Sequence, residues 1–166
     1  MRIGYVTLEE RGATDRLLAD LARGLLAEGV AVAGAVQNNV DCGVDCEMDV
    51  QVLPDGPVIR ISQKLGAGSS GCRLDAGALE TAVAEVGGRM QGARLLIINK
   101  FGKHESEGRG FRQMVADAVA DGLPVLIGVN ATNLGAFHAF AGDLAEPVPP
   151  EAVARWLSQV LVEGGQ

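Results

Sequence analysis

The sequence predicts an α/β protein built on an open, mostly parallel sheet with helices on both faces. Three observations predict it. Short apolar runs alternate along the chain with stretches whose apolar residues recur at helical spacing. The runs have no polar face, as strands covered on both sides require. A length of 166 residues, 48% hydrophobic and 21% charged, suffices for one buried core and is short for two. With no linker and no internal repeat, a single domain over residues 1–166 is expected.

Each element follows from its own signal. Residues 2–8 (RIGYVTL) are short, apolar and β-branched, and read as a buried strand. Thr14 is the expected N-cap of the first helix, with Asp15 in the first turn where the helix dipole favours an anion. Leu17, Leu18, Leu21, Leu25 and Leu26 share one face of it, and Gly29 ends it. Residues 30–37 (VAVAGAVQ) form a second strand, completing a right-handed strand–helix–strand unit. Residues 50–53 and 58–62 flank the turn Pro54-Asp55-Gly56-Pro57 and predict a small β-hairpin insertion. Asp75 caps an Ala-rich helix to about Met90, striped by Leu79, Val83 and Val86. Residues 93–98 (ARLLII) are the most hydrophobic strand, followed by a polar loop over 99–110 and a helix from about Phe111 to Asp121. Residues 124–129 (PVLIGV) are a further buried strand. A short helix near 134–140 and a last one over 150–163, started by Pro149 and Pro150, finish the chain.

Composition narrows the partners. A net charge of −7 argues against a nucleic-acid binder, which shows a basic footprint. No apolar run approaches the roughly 20 residues of a membrane span, so no membrane partner is expected. Met1-Arg2-Ile3-Gly4 leads straight into a strand rather than a cleavable signal, and a cytoplasmic location is expected. Three cysteines are too few for a disulfide scaffold.

Ligands of open α/β sheets bind beyond the carboxyl ends of the strands, which singles out four loops. The first, Thr7-Leu8-Glu9-Glu10-Arg11-Gly12-Ala13-Thr14, fails the G-x-x-x-x-G-K-[ST] fingerprint: it has one glycine and no lysine, and two carboxylates repel phosphate. It reads as a plain strand-to-helix turn.

The loop after Ile98 is the strongest signal. It runs Asn99-Lys100-Phe101-Gly102-Lys103-His104-Glu105-Ser106-Glu107-Gly108-Arg109-Gly110-Phe111-Arg112, with four of the chain's 14 Lys and Arg against two acids. Lys100, Lys103 and Arg109, beside backbone donors at a helix start, suit a small anion. Glu105 and Glu107 are the carboxylates available there to hold Mg²⁺ with a nucleotide or to polarise water. Asn99 occupies the strand end where an NTPase places an acid for Mg²⁺.

Gly66-Ala67-Gly68-Ser69-Ser70-Gly71 matches G-x-G-x-x-G, but Cys72-Arg73-Leu74-Asp75 separates it from its helix and no ribose-binding acid ends the next strand. A looser use fits better. Gly66 and Gly68 form a backbone nest for an oxyanion, helped by Ser69, Ser70 and Arg73. Cys42-x-x-x-Cys46 has the form of half a metal site. With Cys72 it gives three thiolates, and His104 is the available fourth ligand. A metal- or thiol-based accessory or sensor protein is therefore the competing reading. A third is an interaction module whose helices dock a larger partner or a second copy, as a homo-oligomer.

At QNNVDCGVDC, ISQKLGAGSSGCRLD and LLIINKFGKHESEGRG, and in the PVLIGV strand, the sequence resembles a bacterial family designated domain of unknown function 2478. The resemblance spans nearly the whole chain. It implies a three-layer, P-loop NTPase-like sandwich, similar to small nucleoside-triphosphatases and to the accessory protein of molybdopterin-guanine dinucleotide synthesis. It also implies a link with molybdenum metabolism. It implies no particular activity. Taken together, the expectation is a P-loop-like domain with a degenerate phosphate loop. Its ligand is a small anion, either a nucleotide or an oxyanion such as molybdate.

Overall fold

The computed structural model of the protein describes residues 2–10, 12–38, 48–64 and 72–163. A seven-stranded sheet is built from β1 (Ile3–Val6), β2 (Val32–Asn38), β3 (Asp49–Leu53), β4 (Val58–Arg60), β7 (Leu95–Phe101), β8 (Val125–Val129) and β9 (Ala145–Pro147). Its order is β4-β3-β2-β7-β8-β1-β9. The pairs from β2 through β9 are parallel, and β3 and β4 extend one edge antiparallel, as the turn at 54–57 predicts. A separate two-stranded ribbon joins β5 (Ser62–Lys64) to β6 (Cys72–Leu74).

Among the described residues six α-helices flank the sheet: α1 (Ala13–Ala27), α2 (Ala76–Gly87), α3 (Lys103–Ser106), α4 (Arg112–Ala120), α5 (Leu134–Ala141) and α6 (Val153–Glu163). Alternate residues of one strand feed opposite cores, because side chains point to opposite faces. In β7, Leu96 and Ile98 meet Leu79, Val115 and Phe137 of α2, α4 and α5. Leu95 and Ile97 meet Leu18 of α1 and Trp156 and Leu157 of α6. The result is the predicted three-layer α/β sandwich.

Three local differences have physical causes. The first helix is capped by Gly12, in the left-handed conformation at φ 79°, and not by Thr14. The glycine turns the chain into the helix early, and the Thr14 hydroxyl instead accepts from Leu8 N at 3.2 Å. The last strand, β9, is three residues long and ends in proline, so it leaves almost no pattern in sequence; its place is a parallel edge beside β1. The polar loop after Ile98 contains the single-turn helix α3. The Asp75 cap is as predicted, its carboxylate accepting from Ala78 N at 3.1 Å.

Candidate functional site at the carboxyl edge of the sheet

The chain leaves β1 toward β2 on one side, and leaves β8 toward β9 on the other. The hydrogen-bonded neighbours β1 and β8 therefore flank the point where strand order reverses, the place where open α/β sheets hold ligands. Three segments border it: residues 7–10 with Gly12, the turn over 130–133, and the loop over 102–111, which begins later than expected because β7 runs on through Asn99 and Lys100 to Phe101.

The segment over 99–111 starts from a bulge. Ile98 pairs with Ile127 and Phe101 with Val129, so Asn99 and Lys100 together face Gly128. A Cβ on Gly128 would lie 2.4 Å from Asn99 O, so glycine is required for the bulged strand to approach. The bulge ends the β2–β7 ladder at Ala35–Ile98. The Asn99 side chain then continues it: Asn99 Oδ1 accepts from Gln37 N at 3.2 Å, and Asn99 Nδ2 donates to Gln37 Oε1 at 2.9 Å. Both residues are buried, so this reciprocal pair accounts for an amide rather than an acid at the strand end.

Glu105 is buried too. Its Oε1 accepts from Gly102 N at 2.8 Å and its Oε2 from Phe111 N at 3.0 Å, closing the loop at its base. Gly110, at φ 61°, lies so close that a Cβ there would sit 1.8 Å from Glu105 Oε2. From α2, Glu80 accepts from Gly110 N at 3.0 Å, and Arg112 Nη1 donates to the carbonyls of Glu105 and Ser106. The Arg112 guanidinium also stacks over Phe140, 4.9 Å from its centroid. The loop is thus a braced frame, fastened to α2 and α5.

The frame sorts the predicted cations. Arg109 is paired with Glu107, whose carboxyl is held below its ordinary range chiefly by that hydrogen bond. Lys100 and Lys103 are exposed, and among the described residues neither makes an ion pair or a side-chain hydrogen bond. Lys100 extends from the bulge and Lys103 opens α3.

Two further groups at this edge were not singled out for an anion by the sequence. Among the described residues, the buried side-chain polar atoms without a hydrogen-bond partner are Thr7 Oγ1 and both ring nitrogens of His104. Thr7 follows β1 and His104 lies in the loop after β7. Only a count of donors and acceptors in three dimensions reveals them.

Gly66, Gly68, Ser69 and Ser70 lie outside the described residues, as do Cys42 and Cys46. Arg73 and Cys72 are placed by backbone on β6, opposite Gln63 and Lys64. Since β6 leads directly into α2, and α2 touches Gly110 through Leu79 and Glu80, this ribbon is tied in sequence to an element of the frame. Among the described residues no three His, Cys, Asp or Glu side chains group to hold a metal. A cleft of about 680 Å³ opens between α2 and α4, lined by Val83, Met90, Met114 and Leu123. Its Ala93 and Pro124 precede β7 and β8, so it lies at the opposite, amino end of the strands. No helix among the described residues is long and apolar enough to cross a membrane.

Strand order and helix layers define a three-layer α/β fold with a mostly parallel seven-stranded sheet. The fold is similar to the solution structure of a human cancer-related nucleoside triphosphatase, with a TM-score of 0.63 over 98% of this chain and 96% of that one, at 18% identity. The chain belongs to the family described as protein of unknown function (DUF2478), whose model matches residues 3–156, in agreement with the resemblance read from its motifs. It is also 37% identical over 146 residues to the molybdenum import ATP-binding protein ModC 2 of Bradyrhizobium diazoefficiens. That alignment covers 86% of this chain but only 16% of the relative's length.

Proposed function

We propose that the protein binds a ligand bearing a tetrahedral oxyanion, either a nucleotide phosphate or free molybdate, at the carboxyl edge of its sheet. The observation that carries this reading is the pair Lys100 and Lys103. Among the described residues neither makes an ion pair, whereas Arg109 is neutralised by Glu107 and Arg112 is bonded to the carbonyls of Glu105 and Ser106. Lysine at such an edge acts as a point charge for phosphate-like groups. The same spacing that fits G-x-x-x-x-G-K-[ST] places Thr7 at the first glycine, Gly12 at the second and Ala13 at the lysine, so the phosphate loop is degenerate. The loop after β7 supplies the missing charge. Gly66, Gly68, Ser69, Ser70 and Arg73 are the further proposed contacts, of which Arg73 is described, on β6. The relative named for molybdenum import and ATP binding supports a role in molybdenum metabolism.

The donors at the end of β7 do not fit Mg²⁺. The Asn99 amide is engaged by Gln37, and each Glu105 oxygen accepts a backbone N–H. The reading is therefore binding, with Asn99 and Glu105 as frame rather than ligands.

The test is a thermal-shift titration with Mg-ATP, Mg-GTP, molybdate, tungstate, sulfate and phosphate. A ligand at a hundredfold excess over Kd adds about 2.7 kcal/mol, or about 5–10 °C for a domain of this size. The double variant Lys100→Ala/Lys103→Ala is expected to keep its unliganded Tm within about 2 °C and to lose at least about tenfold in affinity, since exposed charges contribute little to the fold. Arg109→Ala is expected to change affinity less, because Glu107 already holds that charge. Unchanged affinity in the double variant rejects the site. If no anion shifts the wild type, the thiol reading moves forward, and metal analysis of protein purified without chelator decides it.

A further inference from the structure

Burying a polar atom with no partner costs stability, and native proteins keep few such atoms. Here, among the described residues, they belong to two side chains, Thr7 and His104. Both lie just beyond the carboxyl ends of parallel strands, β1 and β7, which stand on either side of β8 and so bracket the strand-order reversal. Burial of these polar atoms without a partner is not favoured by packing alone. Valine has the shape of threonine without the hydroxyl, and leucine or phenylalanine would fill the position of an imidazole that bonds to nothing.

Resting on the binding reading above, we propose that the Thr7 hydroxyl and the His104 imidazole are ligand contacts of the same oxyanion site. In the unliganded protein they are turned inward, and the bound oxyanion satisfies them. The frame permits this. Glu105, Glu80 and Arg112 fasten the loop through backbone groups of residues 102, 105, 106, 110 and 111, while the His104 side chain is left unfastened. Both residues are intermediate in exposure as wholes, so part of each faces solvent although their polar atoms are buried. Sites that trade stability for function break local rules in this way.

The test uses Thr7→Val and His104→Leu on the full chain, each titrated with molybdate and with Mg-ATP. Each variant is expected to melt about 2–4 °C above wild type without ligand, because an unpaired polar group has been removed. Each is expected to bind at least about tenfold more weakly whichever anion the wild type binds. His104→Phe serves if the leucine variant does not fold, and an ¹⁵N-imidazole spectrum of the wild type needs no variant: the His104 signals are expected to move on saturation. Unchanged affinity in both variants, or immobile His104 signals, overturns the assignment while leaving the lysine site standing. A wild type that binds neither anion overturns the binding reading itself, and this inference with it.

Discussion

Glu105→Ala is expected to lose about 2–6 kcal/mol of stability, because two buried backbone N–H groups, of Gly102 and Phe111, lose their acceptor and each unsatisfied donor costs about 1–3 kcal/mol. Set against a typical total of about 5–15 kcal/mol, this is a large fraction. No neighbour is positioned to replace the carboxylate: Glu80 already accepts from Gly110 N, and Gly110 lies against Glu105 Oε2 itself. Urea denaturation followed by circular dichroism measures the loss. Anion affinity is expected to fall in the same variant at temperatures where it remains folded, because Lys103 opens the turn that Glu105 closes. A loss below about 1 kcal/mol would mean that water satisfies the two donors and that the loop is no frame.

Gly34→Ala is expected to prevent folding. A Cβ on Gly34 would lie 1.8 Å from Ile97 O and 2.8 Å from Ile97 C, and the residue sits at φ 137°, a conformation side chains rarely adopt. The obstacle is backbone, in register with Gly34 in the β2–β7 pair, so no rotamer change relieves it. The two strands would have to separate beyond the roughly 4.8 Å of a ladder, and β7 feeds both cores. Solubility and far-ultraviolet circular dichroism of the variant, beside Gly24→Ala as control, check this. The Gly24 position has open space within 4 Å in the helix α1, and alanine there is expected to be neutral or mildly stabilising. A folded, soluble Gly34→Ala protein would mean that β2 and β7 pair in another register.

Most of the architecture was legible in the sequence because its signals are local. Residues 95–98 are apolar on both faces, so they announce a strand covered on both sides; Asp75 and Gly29 mark helix ends through bonds and dihedrals within four residues. Strand β6 and the single turn α3 were not read from the sequence either, and β9 is held as a strand only by β1, some 140 residues earlier, with no pattern of its own. The candidate site divides in the same way. The loop after β7 stood out by charge, and Lys100 and Lys103 keep the exposure that a ligand-binding cation needs. Asn99 and Glu105 carry the residue types of ligands, yet their partners turn them inward: Gln37, 62 positions away, holds the amide, and the backbone at 102 and 111 holds the carboxylate.

The sequence by itself therefore determined the class of fold, the order of its main layers and the loop where positive charge gathers, since apolar periodicity, caps and composition are properties of neighbours along the chain. Only the tertiary structure decided which polar side chains in that loop are spent and which are left over. Whether a carboxylate, an amide, a hydroxyl or an imidazole is available to a ligand depends on the donors and acceptors that distant strands bring within about 3 Å of it. Spacing along the chain says nothing of that distance.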